Sequence, residues 1–188
     1  MVRHSFAAAL GALVVCVSGC SLNAPKYTPS LDNANRLRDA HIDPIKVAKF
    51  TADEKNRAKV DKITLRGNSY ASPYNGSFIS YVEEAARMEL AEARALDPNA
   101  ATQLDGTLLR NDVDVGMAKG SADIEAQFVL RRGGAVRYDK IKKVHSEWDS
   151  SFVGAIAIPA AAENYPGVVQ KLMNDLFSDP DFINAAKP

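Results

Sequence analysis

Cys16 and Cys20 are the strongest potential nucleophiles of the chain, and no cysteine follows them. Everything downstream therefore lacks a disulfide, a thiolate metal site and a cysteine nucleophile. The next groups able to do chemistry are His145, Glu147, Asp149, Ser150 and Ser151. Along an extended stretch His145 faces away from Val144, on the same side as Glu147 and Asp149. That cluster could bind a metal or relay a proton; as a strand surface it reads as a solvated polar face. A serine needs a base within reach, and nothing in the sequence puts His145 beside Ser150 or Ser151. HExxH, CxxC and GxSxG are absent, and Gly116–Gly120 lacks the Lys-Ser/Thr of a phosphate loop. The expectation is a protein that is not an enzyme, with no catalytic residue, no metal and no cofactor.

The setting of Cys20 points to a different chemistry. Residues 1–19 read MVRHSFAAALGALVVCVSG, with Arg3 as a basic start and an apolar run from Phe6 to Val17 broken by Gly11. The run is shorter than the roughly 20 apolar residues that cross a bilayer as a helix. A basic start, a short apolar stretch and then small residues form a secretory pattern. Val17-Ser18-Gly19-Cys20 resembles the lipobox of bacterial lipoproteins, with Val where Leu is more usual. The resemblance implies recognition of Val17, Ser18 and Gly19 by signal peptidase II and cleavage before Cys20. It also implies a diacylglycerol on the Cys20 thiol and an acyl chain on the new amino group. Three acyl chains exceed the two signals that stable anchoring takes, at about 0.8 kcal/mol per buried CH₂. Ser21, where Asp would retain such a protein at the inner membrane, implies the cell outer membrane, with the domain on its periplasmic face. An ordinary signal peptide beside an incidental cysteine is the alternative.

The composition fits a globular domain. Of 188 residues, 46% are hydrophobic and 24% charged, a balance that does not describe a disordered chain. Lys plus Arg and Asp plus Glu are equal at 23 each, which leaves no basic footprint for nucleic acid and no polybasic attachment to anionic lipid.

Three parts are expected: 1–19 as a removed signal peptide, 20–43 as the lipidated cysteine and a flexible linker, and 44–188 as a single periplasmic α+β domain. Pro25, Pro29, Asn23, Asn33 and Asn35 mark the linker, whose coil would reach roughly 25–30 Å. Within the domain, Ile45 to Phe50 and Lys62 to Arg66 read as strands, and Ser69 to Gly76 as a loop. Ser77 caps a helix with Ile79, Val82, Ala86, Leu90 and Ala93 on its buried stripe, ended by Asp97-Pro98. Leu104 to Val115 and Asp123 to Arg131 are strands, with Gly106 as a possible bulge. Gly133-Gly134 forms a hairpin turn, and the return strand breaks its alternation at Lys140, Ile141 and Lys142. A second long helix starts at Tyr165-Pro166, and a short one follows Asp179-Pro180. The order β-β-α-β-β-β-α gives a mostly antiparallel sheet with two long helices packed on one face.

Asn75-Gly76-Ser77-Phe78 opening the first helix, Gly106-Thr107-Leu108 in a strand and the Tyr165 to Phe182 ending carry a wider likeness. In these the chain resembles Gram-negative auxiliary lipoproteins, namely YajG-like lipoproteins and the auxiliary lipoproteins of ABC-type lipid transporters. The resemblance implies an envelope partner role and supplies no catalytic residue. Phe152 to Ala162, FVGAIAIPAAA, has no charge. It reads either as a connection buried under a helix or as an exposed interaction loop carried by Phe152, Ile156 and Ile158. The expected function is a non-enzymatic binding or assembly accessory of the envelope. The alternative is a lipid or glycolipid carrier or transport auxiliary with a groove between sheet and helices. Expected partners are the membrane through the lipid anchor, and an envelope protein or a lipid ligand; nucleic acid is not among them.

Overall fold

The computed structural model describes residues 22–188, so the expected signal peptide with Val17, Ser18 and Gly19, and Cys20 after it, lie outside the described residues. Along the chain run β1 (Leu22–Asn23), α1 (Leu31–Asp39), β2 (Ile45–Val47), β3 (Thr51–Ala52), α2 (Arg57–Val60), β4 (Ile63–Leu65), β5 (Asn68–Ala71), α3 (Phe78–Glu92), β6 (Thr102–Val115), β7 (Lys119–Arg132), β8 (Ala135–Asp149), α4 (Gly154–Phe177) and α5 (Pro180–Ala186). The class is α+β. The expectation of a mostly antiparallel sheet under two long helices is corrected to two mixed sheets and five helices among the described residues. The long strands β6, β7 and β8 do form an antiparallel meander. However, β2 and β3 pair with β6 in parallel, and β1 pairs with β5 in parallel. Parallel pairing needs a crossover, and the chain between β3 and β6 supplies one through β4, β5 and α3.

Alternation on β7 sets the core face. Ala122, Ile124, Ala126, Phe128 and Leu130 are buried, while Asp123, Glu125 and Gln127 are directed to the other side. Gly133 and Gly134 both take positive φ, 54° and 84°, as a two-residue hairpin requires. Gly106 is in register with Phe128 and is not a bulge; a Cβ there would overlap the Phe50 ring. The β6 irregularity falls at Leu109 instead. Lys140, Ile141 and Lys142 likewise hold register with β7, and the shift on that side lies between Tyr138 and Val136.

Ser77 caps α3 as expected, its hydroxyl accepting from the Ser80 N–H at 3.2 Å. Ile79, Val82, Ala86, Leu90 and Ala93 are all buried. The helix ends at Glu92, before the expected Asp97-Pro98, because Arg94 turns the chain at φ 59°. Residues 69–71, expected in a loop, belong to β5, which buries Tyr70 between β4 and β1.

The start of α4 moves from the expected Tyr165-Pro166 to Gly154, so the helix contains Pro159 and Pro166. An interior proline removes one helical N–H and orphans the carbonyl four residues before it. For Pro166 that carbonyl belongs to Ala162, and the Tyr70 hydroxyl donates to it at 2.9 Å. For Pro159 it belongs to Ala155, an exposed residue in the first turn where water can serve.

The flexible linker expected over 20–43 is corrected for residues 22–43. Ser30 caps α1, and Asn33, Ala34 and Leu37 are buried. Tyr27 and Ala24 belong to the same core as the sheet. The segment reads as a linker because its apolar side chains are few, but Ala24, Tyr27, Ala34 and Leu37 are buried and Leu22 and Ile42 pack against the core.

Candidate functional site

Arg66 organises one end of the molecule. It sits in the β4–β5 turn at φ 48°, a conformation that swings its side chain across the ends of the longer strands. Its guanidinium donates to the carbonyls of Val115 at 3.0 Å, Gly116 at 2.9 Å, Ser151 at 2.8 Å and Phe152 at 2.9 Å. Four charge-assisted hydrogen bonds gather the β6–β7 hairpin tip and the β8–α4 junction. Ser150 adds two more ties, from its hydroxyl to the Gly116 carbonyl at 2.7 Å and from its N–H to Ala118 at 2.9 Å.

The consequence is a cluster of exposed apolar side chains on a fixed frame. Phe152 is 77% exposed, Met117 70%, Ile156 60% and Val153 51%. Ile158, named with Phe152 and Ile156 from the sequence, is only partly exposed and packs on the core. Those three residues do not form a loop: Phe152 precedes α4, while Ile156 and Ile158 lie within it. The burial reading holds only for the helix's inner side, at Ala157, Ala161 and Ala162. Met117, Val153 and Arg66 were missed in the sequence. Met117 reads as part of a glycine-flanked hairpin, and only contacts 49 to 86 residues away reveal Arg66 as the clasp.

His145 lies on the open face of the sheet. Its side chain is 52% exposed, with Nδ1 3.0 Å from Asp123 and Nε2 3.3 Å from Glu147. Those hydrogen bonds, Asp123 first, push the imidazole above its ordinary pKa. Asp149 pairs with Lys119 and does not join them. Ser150 and Ser151 are engaged with Gly116 and the Val153 N–H. Among the described residues there is no group of three or more His, Cys, Asp or Glu that could hold a metal ion.

A second polar cluster sits under α5. Asp179 caps that helix and accepts from Tyr138 at 3.0 Å, Lys142 at 2.8 Å and Lys140 at 3.1 Å. Burial works against its charge, yet the bonds from Lys142, the Asp181 N–H, Lys140 and Tyr138 hold the carboxyl well below its usual range. A third buried group, Glu89 of α3, grips the amino-terminal segment: Tyr27 donates its hydroxyl and Ser30 its N–H, at 3.1 Å for the latter.

Rings fill the space where α3, α4 and β5 meet, with Tyr165 in edge contact with Tyr70, Phe78 and Tyr81. The recess beside His145 is shallow and lined by Arg110, Asp123, Glu125 and Lys143 as well. Among the described residues no helix is long and apolar enough to cross a membrane.

No family model matches the chain, and no curated protein matches it. Among solved structures it is similar to protein XCC0632 from Xanthomonas campestris, described under the family model DUF330. That likeness has a TM-score of 0.59 at 14% identity, covering 88% of this chain and 96% of that one. A protein from Caulobacter crescentus CB15 described as a "putative lipoprotein" aligns with a TM-score of 0.47 at 16% identity, over 84% of this chain and 99% of that one. The hypothetical protein CT253 from Chlamydia trachomatis aligns at 0.48 and 10% identity, over 77% and 99%. The Xanthomonas likeness shows a shared fold across nearly the whole described chain.

Proposed function

We propose that this protein is a lipid-anchored, non-enzymatic accessory of the bacterial envelope, sorted to the outer membrane and facing the periplasm. It acts by surface contact at the β8–α4 junction. The observation that carries this reading is the cluster of Met117, Phe152, Val153 and Ile156, exposed on a frame fixed by Arg66. Large apolar side chains clustered at one exposed place mark contact sites. The anchor rests on Val17-Ser18-Gly19-Cys20, and the resemblance to auxiliary lipoproteins of lipid transporters agrees with the contact role. The carrier reading has less support, since Tyr165 of α4 packs against Phe78 and Tyr81 of α3 and Tyr70 of β5 and fills the space where these elements meet.

The test is made in cells with the full chain. Palmitate should label the protein, and Cys20→Ala should remove the label. A photo-crosslinking residue at Ile156 should yield an adduct with lipid or protein, and one at His145 on the open face should not. Phe152→Ser with Ile156→Ser should abolish function while shifting stability by no more than about 0.5 kcal/mol, as for ordinary surface changes. Absence of any adduct at Ile156, or lost activity from His145→Ala alone, would remove the contact reading.

A further inference from the structure

Three contacts fix the course of the amino-terminal segment along α4. Leu22 pairs with Tyr70, whose hydroxyl bonds the Ala162 carbonyl. Further on, Gln170 donates to the Thr28 carbonyl at 3.3 Å, and Arg36 to Asn174 at 3.1 Å. Residues 22–36 therefore run beside α4 in the direction of the helix. At Leu22 the upstream direction of β1 therefore points back toward the first turn of α4, where Phe152, Val153 and Ile156 stand exposed. The sheet gives the same heading. β1 is parallel to β5, so its upstream direction points along Tyr70 to Asn68 and on to the Arg66–Gly67 turn. Arg66 is the residue that clasps the apolar cluster.

The leash is also short. Cys20 stands two residues before Leu22, and two extended peptide steps span at most about 7 Å. A lipid on Cys20 would hold the fold itself at the bilayer, by the end that carries the exposed apolar side chains. We infer that Met117, Phe152, Val153 and Ile156 form a membrane-contact surface on which the anchored domain stands, their side chains entering the lipid interface. This rests on the reading of Cys20 as the lipidated residue. The occupant is the bilayer because the anchor delivers it there. Met117 sits on the β6–β7 tip, while Val136, also exposed, lies by the β7–β8 turn at the opposite end of the sheet and faces away. Apolar residues at an interface bind in proportion to the area they bury, in addition to any acyl chain.

The test uses the lipidated full-length product. After processing, its one native cysteine carries the lipid, so a single added cysteine takes a fluorophore uniquely. Met117→Cys, Phe152→Cys, Ile156→Cys and Val136→Cys proteins, labelled with an environment-sensitive dye, go into vesicles of phosphatidylethanolamine and phosphatidylglycerol with doxyl-labelled acyl chains. Emission at 117, 152 and 156 should shift to the blue and lose most of its intensity to the doxyl groups, and emission at 136 should do neither. Equal quenching at all four positions, or none at 152 and 156 in a palmitate-labelled preparation, overturns the inference alone. A blue shift that grows with protein-to-lipid ratio without doxyl quenching means that a second copy covers the cluster, and overturns it too. A preparation that takes no palmitate removes the anchor reading and this inference together.

Discussion

At the scale of single residues, Asp179 carries the densest set of commitments. Its side chain is 7% exposed, Lys142 beside it is 12% exposed, and Lys140 and Tyr138 share the same carboxylate. Asp179→Ala would leave the largely buried Lys142 ammonium with only the longer contact to Asp175 at 3.8 Å, a loss below the ~3–5 kcal/mol of a fully broken buried pair. Urea denaturation at neutral pH should read that loss directly. The pH dependence has a definite sign. A carboxyl held low in the folded state stabilises above its unfolded value near 3.8 and loses that contribution as pH falls toward its folded value. The gap between the native protein and Asp179→Ala should therefore be full at neutrality and shrink below about pH 4. This cluster was not legible in the sequence. Lys140 and Lys142 read as interruptions of a strand because inward-facing lysines look wrong without their anion. That anion lies 39 and 37 residues further on. His145 was legible, since strict alternation with Val144 is enough to put it on the open face.

At the scale of elements, the outcome depends on whether local preference or tertiary contact decides. Ser77 and the Ile79–Ala93 stripe state the start and the buried face of α3, because capping and periodicity are local, whereas its end at Glu92 depends on the turn at Arg94. The Gly133-Gly134 hairpin is stated equally well by its two positive-φ positions. The beginning of α4 was misread because Gly154 and Pro159 are locally poor helix residues, while the contact that tolerates Pro166 comes from β5. Tyr70→Phe tests that contact. It leaves the Ala162 carbonyl buried with neither a helical N–H nor a hydroxyl donor, at a cost of about 1–3 kcal/mol. Pro166→Ala in the Tyr70→Phe background returns the missing N–H and should recover most of the loss. Thermal melts of the two single variants and the pair give the coupling. If the pair simply adds, the hydroxyl is not what accommodates the proline.

At the scale of the whole molecule, the question is what keeps residues 22–40 on the fold, because that decides how far the domain stands from the lipid proposed on Cys20. Glu89 holds Tyr27 and Ser30 at the entrance to α1. Burial pushes its carboxyl up, against the opposing hydrogen bonds from Tyr27, Ser30 and Asn33. A carboxyl raised in the closed state binds its proton more tightly there than in the open one. Closure is therefore favoured in mild acid and weakens as pH rises through the raised value. Hydrogen exchange of the 22–40 amides should speed up from mild acid to neutral pH beyond the intrinsic rate, and Glu89→Gln should remove the excess. Glu89→Leu orphans the Tyr27 hydroxyl and the Ser30 N–H, about 1–3 kcal/mol for each such group, and should open the segment at every pH. Opening would lengthen the proposed leash from Cys20 from two residues to about 24, a reach of roughly 25–30 Å. Trp148, the single tryptophan of the chain, lies against Gly120 near the β6–β7 tip, at the end proposed to meet the bilayer. In vesicles carrying a dansyl headgroup, energy transfer from Trp148 should be strong in the lipidated native protein and fall in Glu89→Leu. Unchanged transfer despite fast exchange of residues 22–40 would mean that the apolar cluster, rather than the short leash, keeps the domain on the membrane.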